Sequence, residues 1–192
     1  MKKGEFLSII LKFNKTVFSF KEILLIWKET NISTARSRIN YYIKNKKLIQ
    51  LRRGLYVKDK NYDKYELATK VYIPAYISFE TALQKNGLIF QKYNSIYVAS
   101  YKTKELRIDN QKYCFKAIKK TILINQLGVE KEDNYHIAGA ERAFLDMLYL
   151  NKDYYFDNLL TLDWEKVNKL LPIYNNKRMN KKVKELELLN KK

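Results

Sequence analysis

Apolar side chains recur at helical spacing along the first third of the chain, and further on they alternate. Phe6, Ile9, Ile10 and Phe13 stand at i, i+3, i+4 and i+7, a spacing that puts them on one helix face. Ile23, Leu24, Ile26 and Trp27 supply the buried side of a second helix. Its start is marked by Ser19 and Glu22 at capping-box spacing, with Phe18 and Ile23 at the two positions of a hydrophobic staple. After a short turn at Glu29-Thr30, Asn31 or Ser33 caps a third helix. At about 100° per residue, Ile32, Ala35, Ile39, Tyr42 and Ile43 cluster on its inner side. Ser33, Thr34, Ser37, Asn40, Tyr41 and Lys44 occupy the other side, flanked by Arg36 and Arg38. A hairpin follows, with strands over residues 48–52 and 55–58 and Arg52 and Arg53 at its tip. Gly54 supplies the positive φ that a tight turn needs.

A short polar stretch over residues 59–63 reads as a linker. Leu67, Ala68 and Val71 then line one side of a helix over residues 65–72, broken by Pro74. Ser78 caps the next helix and Gly87 closes it. From Ser95 the period becomes two, giving strands over residues 95–101, 105–108, 112–118, 121–125 and 135–137. Asp109-Asn110 is the hairpin turn between the second and third of these. Helix returns over residues 139–148, where Glu141 suits the dipole and Arg142 and Asp146 are spaced to pair on the surface. Two more helices are expected, over residues 163–171 ahead of Pro172 and over 175–190, the last with a stripe of Met179, Val183, Leu186 and Leu189. The expected class is α+β. Residues 1–60 form one domain, and residues 61–192 a mixed α/β domain with a small antiparallel sheet and a helical C-terminal tail.

Charge sharpens this picture. The 192 residues carry 38 Lys and Arg against 20 Asp and Glu, a net of +18, which favours polyanionic partners: nucleic acid or an anionic membrane surface. The excess is uneven. Residues 1–60 hold 15 basic and 4 acidic side chains, a net of +11, whereas the longer remainder has a net of only +7. The single cysteine, Cys114, excludes an intramolecular disulfide and a cysteine-rich metal site, and its place in an alternating strand suits a small buried residue. No signal-peptide pattern or apolar run of membrane-spanning length is present, so a cytoplasmic protein without a membrane partner is expected.

Two short helices, a polar-faced helix and a basic-tipped hairpin follow one another in the order of a winged helix-turn-helix. That order proposes double-stranded DNA as a partner. Small hydroxyls, an amide and a tyrosine (Ser33, Thr34, Ser37, Asn40 and Tyr41), with Lys44 on the same DNA-facing side, can meet base edges, and the flanking Arg36 and Arg38 can reach phosphates or guanines. Arg52 and Arg53 at the wing tip are placed for phosphates or a minor groove. Catalytic apparatus is sparse. His136 has no companion, and no HExxH, GxSxG or phosphate-loop motif occurs, so neither an enzyme nor a cofactor is expected. Glu105 and Asp109 with Lys112 across a hairpin could hold Mg²⁺ and a water, which keeps a nuclease as a minor alternative, although a polar turn is the usual explanation.

Three short stretches, in order, carry a family likeness: Arg53-Gly54-Leu55-Tyr56; then Tyr76-Ile77-Ser78-Phe79-Glu80-Thr81-Ala82-Leu83 with Gly87-Leu88-Ile89; then Glu141-Arg142-Ala143-Phe144-Leu145-Asp146. Residues 1–150 resemble the AbiEi antitoxins of AbiE abortive-infection systems, which are type IV toxin–antitoxin systems; the tail after Asn151 carries no such likeness. The resemblance implies a winged-helix domain that binds inverted repeats in its own promoter. It also implies a second domain that counteracts a nucleotidyltransferase-like toxin encoded nearby, without requiring a stable complex. Ser78, Glu80, Glu141, Arg142 and Asp146 become the candidates for that second role, against the plainer reading that they are caps and helix-surface pairs holding the domain together. The competing expectation is a stand-alone transcription factor whose second domain senses a ligand or dimerises.

Overall fold

A computed structural model describes residues 5–190. It divides into two compact units, residues 1–71 and 72–192. The first runs α1 (Glu5–Lys12), β1 (Val17–Ser19), α2 (Phe20–Trp27), α3 (Ile32–Lys44), β2 (Ile49–Arg52), β3 (Leu55–Val57) and α4 (Lys64–Val71). Its antiparallel sheet has the order β1-β3-β2. Phe6, Ile10, Phe18, Ile23, Trp27, Ile39, Tyr42, Leu48 and Tyr56 form one buried cluster. Each such large side chain stabilises the unit by about 1.5–3 kcal/mol relative to exposure. Trp27 satisfies its ring N–H by donating to the Phe6 carbonyl at 2.8 Å.

The capping box at α2 is formed in both directions, and Phe18 and Ile23 are fully buried as a staple requires. Three expectations need correction. Phe13 is exposed because α1 ends at Lys12. Ile32, expected inside, is 52% exposed because it opens α3 before the helix reaches the core. The polar stretch expected as a linker is folded in: Tyr62 is buried, and the Asp63 N–H donates to Thr16 Oγ1 at 2.9 Å. Helix α4 accordingly packs within the first unit. Its fully buried Glu66 accepts from the Thr16 N–H and hydroxyl at 2.8 and 2.7 Å.

The second unit contains β4 (Ala75–Ile77), α5 (Phe79–Lys85), β5 (Ser95–Ser100), β6 (Lys104–Ile108), β7 (Gln111–Ala117), α6 (Lys120–Leu123), β8 (Val129–Glu132) and β9 (Tyr135–Ala138). It continues with α7 (Ala140–Leu150), α8 (Trp164–Leu170), a 3-10 turn (Leu171–Tyr174) and α9 (Lys177–Asn190). The sheet is not small and antiparallel. It has six strands in the order β6-β7-β5-β4-β9-β8, with β4–β9 and β5–β7 parallel. Alternation shows which face of a strand is apolar and says nothing about which strand lies beside it, so such pairings are invisible in the chain. Residues 121–125 overlap α6 and form no strand: the Leu123 and Ile124 N–H groups donate to the carbonyls of Lys119 and Lys120, four residues back, as in a helix.

Local turn chemistry holds. Asp109 and Asn110 both take positive φ between β6 and β7. Gly87, at φ +72°, closes α5 with bonds from its N–H to Gln84 O (3.1 Å) and from Leu88 N–H to Leu83 O (2.9 Å). Helix α5 packs on α7 and β5. In α7, Phe144 meets Phe156 and Trp164 at ring separations of 4.9 and 5.9 Å. The α9 stripe is buried only at Met179 and Val183, and Leu189 is exposed.

Candidate nucleic-acid interface

Helix α3 turns Ala35, Ile39 and Tyr42 into the core of the first unit. Asn31 is its cap, its Oδ1 accepting from the Thr34 N–H at 3.0 Å. With that side fixed, the 3.6-residue period leaves Ser33, Thr34, Arg36, Ser37, Asn40, Tyr41 and Lys44 exposed, as expected. Tyr41 sets its ring edge-on to Tyr42 at 5.6 Å. The Arg36 guanidinium lies over Phe20 at 5.6 Å.

Arg38 does not join this face. Its Nη1 lies 3.1 Å from Glu29 Oε2, and its guanidinium sits 3.6 Å above the Phe6 ring. The Asn31 N–H and Arg38 together hold the Glu29 carboxyl below its ordinary range. Stacked on an aromatic ring and paired with a carboxylate, Arg38 is a strut between α3 and the rest of the unit.

The β2–β3 tip is set by Gly54 at φ +80°, with a register shift between Gln50 and Arg52. A Cβ built on Gly54 meets nothing within 4 Å, so the demand for glycine comes from the backbone angle alone. Arg52 and Arg53 are exposed at this tip. The tip is also anchored, because the Gly54 carbonyl accepts from the Phe20 N–H at 2.9 Å where α2 begins. Below it, Glu22 pairs with Lys15 at 2.8 Å and with Lys70 at 3.0 Å. Burial pushes the Glu22 carboxyl up, but Lys15, the Ser19 N–H and Lys70 more than reverse this and hold it at about 2.

No protein-family model matches the chain, and comparison with curated proteins finds no match.

The five candidates of the second unit fall in three places. Arg142 and Asp146, expected as a surface pair, are fully buried. Asp146 Oδ2 accepts from Tyr76 Oη at 2.9 Å and Ser78 Oγ at 2.8 Å. Its Oδ1 accepts from Tyr174 Oη at 2.7 Å and Arg142 Nε at 3.3 Å. Arg142 also donates to the Tyr76 hydroxyl and to the carbonyls of Leu127 and Ile122. Ser78 stands at the N-cap position of α5, yet its hydroxyl makes no capping bond and serves Asp146.

Burial raises the Asp146 carboxyl against the pull of Arg142 and the three hydroxyls. Burial also works against the Arg142 cation, but Tyr174, Asp146 and Tyr76 carry it to a net upward shift. The result is a closed ion pair that joins β4, α7 and the 3-10 turn. Sequence reasoning missed Tyr76 and Tyr174 as members. The available signal was Ala143-Phe144-Leu145 and Met147-Leu148 around Asp146, which leave α7 no polar face for a charge to occupy.

Glu80 lies elsewhere, paired with Lys116 at 2.8 Å. Glu141 accepts from the Asp163 N–H at 3.2 Å and so ties α7 to the start of α8. Glu105 is engaged by Lys112 at 2.9 Å. Among the described residues no group of three or more His, Cys, Asp or Glu side chains is placed to hold a metal ion. His136 is exposed on β9 and Cys114 is buried on β7. No described helix is long and apolar enough to cross a membrane.

Proposed function

We propose that the first unit is a winged helix-turn-helix that binds double-stranded DNA. Helix α3 enters the major groove, and the β2–β3 wing lies on the flanking phosphates or in the adjacent minor groove. Through it the protein represses its own promoter in the cytoplasm, and its second unit counteracts a nucleotidyltransferase-type toxin encoded nearby. One observation carries the DNA-binding reading: an exposed polar helix face, backed by Ala35, Ile39 and Tyr42, shares a compact unit with an exposed two-arginine hairpin tip. The net charge of +11 on residues 1–60 supports it. The antitoxin half rests on the likeness of the three short motifs.

Footprinting on the region upstream of the gene tests repression, with protection of an inverted repeat expected; two bound copies would follow from such a repeat. Arg53→Ala should weaken binding to all duplexes alike and lower the salt slope by about one unit if it neutralises one phosphate. Ser37→Ala and Asn40→Ala should instead change which duplex is preferred, and a uniform loss for both would mean that they position the helix without reading bases. Co-expression with the neighbouring nucleotidyltransferase tests the antitoxin half; growth that is not rescued while DNA binding is intact sinks it. An open cleft of about 460 Å³ lined by Phe156, Leu159, Leu186 and Leu189 together with Asp153, Lys182 and Asn190 is the observation behind a second reading. In it the protein is a stand-alone regulator whose second unit senses a ligand or dimerises. Absence of a toxin gene beside this one distinguishes the two.

A further inference from the structure

In the second unit, the turn after α5 and the loop after α7 meet at a pocket of about 360 Å³ lined by Phe90, Gln91, Tyr93, Tyr154, Tyr155 and Asp157. Four of these side chains are aromatic. Tyr93 and Tyr154 are half-buried and held edge-on by their neighbours, Tyr93 by Tyr97 at 5.7 Å and Tyr154 by Phe156 at 5.0 Å. Phe90 and Tyr155 are the outer rings, 68% and 79% exposed. Folding gains little from a ring left in water, and here two of them border one cavity.

The lining is short of positive charge. The chain carries +18 overall, yet no Lys or Arg lines this pocket, whereas Lys182 lines the adjoining cleft that shares Tyr154 and Tyr155. Its one ionised group is the Asp157 carboxylate, which accepts from the Phe90 N–H at 2.7 Å and makes no ion pair among the described residues. Tyr93 donates its hydroxyl to Gln91 Oε1 at 2.8 Å. Burial, the Tyr93 hydroxyl, and then the negative charges of Glu80 and Asp157 hold the Tyr154 phenol above its ordinary range. Aromatic faces are themselves negative. An anion entering here meets a carboxylate and π-faces; a cation is attracted by both. Charges further off than about 8 Å are largely screened at physiological salt, so the lining outweighs the net charge of the chain.

We propose that this pocket binds an organic cation, an alkylammonium or guanidinium group, with its charge beside Asp157 and its carbons against the rings of Phe90, Tyr93, Tyr154 and Tyr155. The group belongs either to a free small molecule or to a basic side chain of a polypeptide, and the chemistry of recognition is the same for both. A nucleotide would also stack on the rings, but its phosphates would meet Asp157 with no Lys or Arg in the lining to offset it. The pocket lies within the second unit, so its occupancy is tested separately from what α3 binds.

Amide chemical shifts of the full-length protein are followed by NMR as choline is added at constant ionic strength. Shifts should saturate and centre on Phe90, Gln91 and residues 154–157. The uncharged isostere of choline, with carbon in place of the quaternary nitrogen, should bind about ten-fold more weakly, because it shares the shape without the charge. Spermidine and a capped Gly-Arg-Gly peptide, titrated in the same way, separate the two sources: tighter binding of the peptide assigns the pocket to a polypeptide side chain, tighter binding of spermidine to a free amine. Phe90→Leu and Tyr155→Leu should each weaken choline about three-fold and leave the isostere unchanged. Both side chains are exposed, so the fold should survive their loss. Asp157→Asn keeps an acceptor for the Phe90 N–H and should weaken choline about three-fold through the lost charge alone. Binding of the isostere as tight as that of choline overturns the proposal. So does adenosine monophosphate bound more tightly than every cation, or a set of shifts that follows protein concentration instead of choline.

Discussion

Removing the Asp146 carboxylate should cost the second unit a large part of its stability. In Asp146→Ala the hydroxyls of Tyr76, Ser78 and Tyr174 lose the acceptor they share, and the guanidinium of Arg142 is left buried without its counter-charge. Breaking one side of a buried pair costs about 3–5 kcal/mol. The whole stability of a domain is about 5–15 kcal/mol. Removing both charges together should hurt less. Arg142→Met with Asp146→Leu leaves the same hydroxyls and the Leu127 and Ile122 carbonyls without their partners, but no uncompensated ion, so it should cost less than the two single losses summed. Urea unfolding followed by Trp164 fluorescence isolates the second unit if Trp27 is first replaced by Phe, because the chain has 2 tryptophans and they fall in different units. Asp146→Ala within about 1 kcal/mol of its parent would refute the argument. So would a double variant as damaged as the two single losses summed, since coupling between contacting charges has to appear as non-additivity.

Acid should loosen the first unit through Glu22, which is held at about 2 against an ordinary 4.5. A lowered carboxyl stabilises the fold above 4.5 and loses that contribution as the pH falls toward 2; Glu22→Gln should flatten this limb by about 1–2 kcal/mol, allowing for solvent screening. Urea midpoints across that pH range decide it, and an unchanged limb in the variant counts against the ion-pair account. Gly54→Ala should cost about 1–2 kcal/mol purely through its φ of +80°, because the new methyl meets no atom; thermal unfolding with no loss would mean that the turn relaxes. Arg38→Ala should lower stability by about 1 kcal/mol through the lost Phe6 stacking and Glu29 pair while leaving the salt slope of DNA binding unchanged. A slope reduced by a full unit would return Arg38 to the phosphate-contacting set.

What the chain declares on its own is whatever depends on near neighbours. The capping box of Ser19 and Glu22, the buried side of α3, the Asp109-Asn110 turn and the Gly87 helix stop were all legible, because each is decided within a few residues by backbone geometry and period. The α+β class was legible for the same reason, as was the exposed face of α3 from Ser33 to Lys44. Contacts between distant segments were not. Strand β1 is too short to show alternation and exists because β3 pairs with it. The parallel pairings β4–β9 and β5–β7 join segments whose sequences carry no mark of each other.

Tertiary structure alone also decided the meaning of three charged residues. Arg38 reads as a surface cation until Phe6 and Glu29 are seen beneath it. Arg142 and Asp146 read as an i, i+4 surface pair, since helical spacing brings the same two groups together whether the surroundings are water or protein. Only the packing of β4 and the Tyr174 turn around α7 removes the water, and with it the freedom of that pair to face a partner.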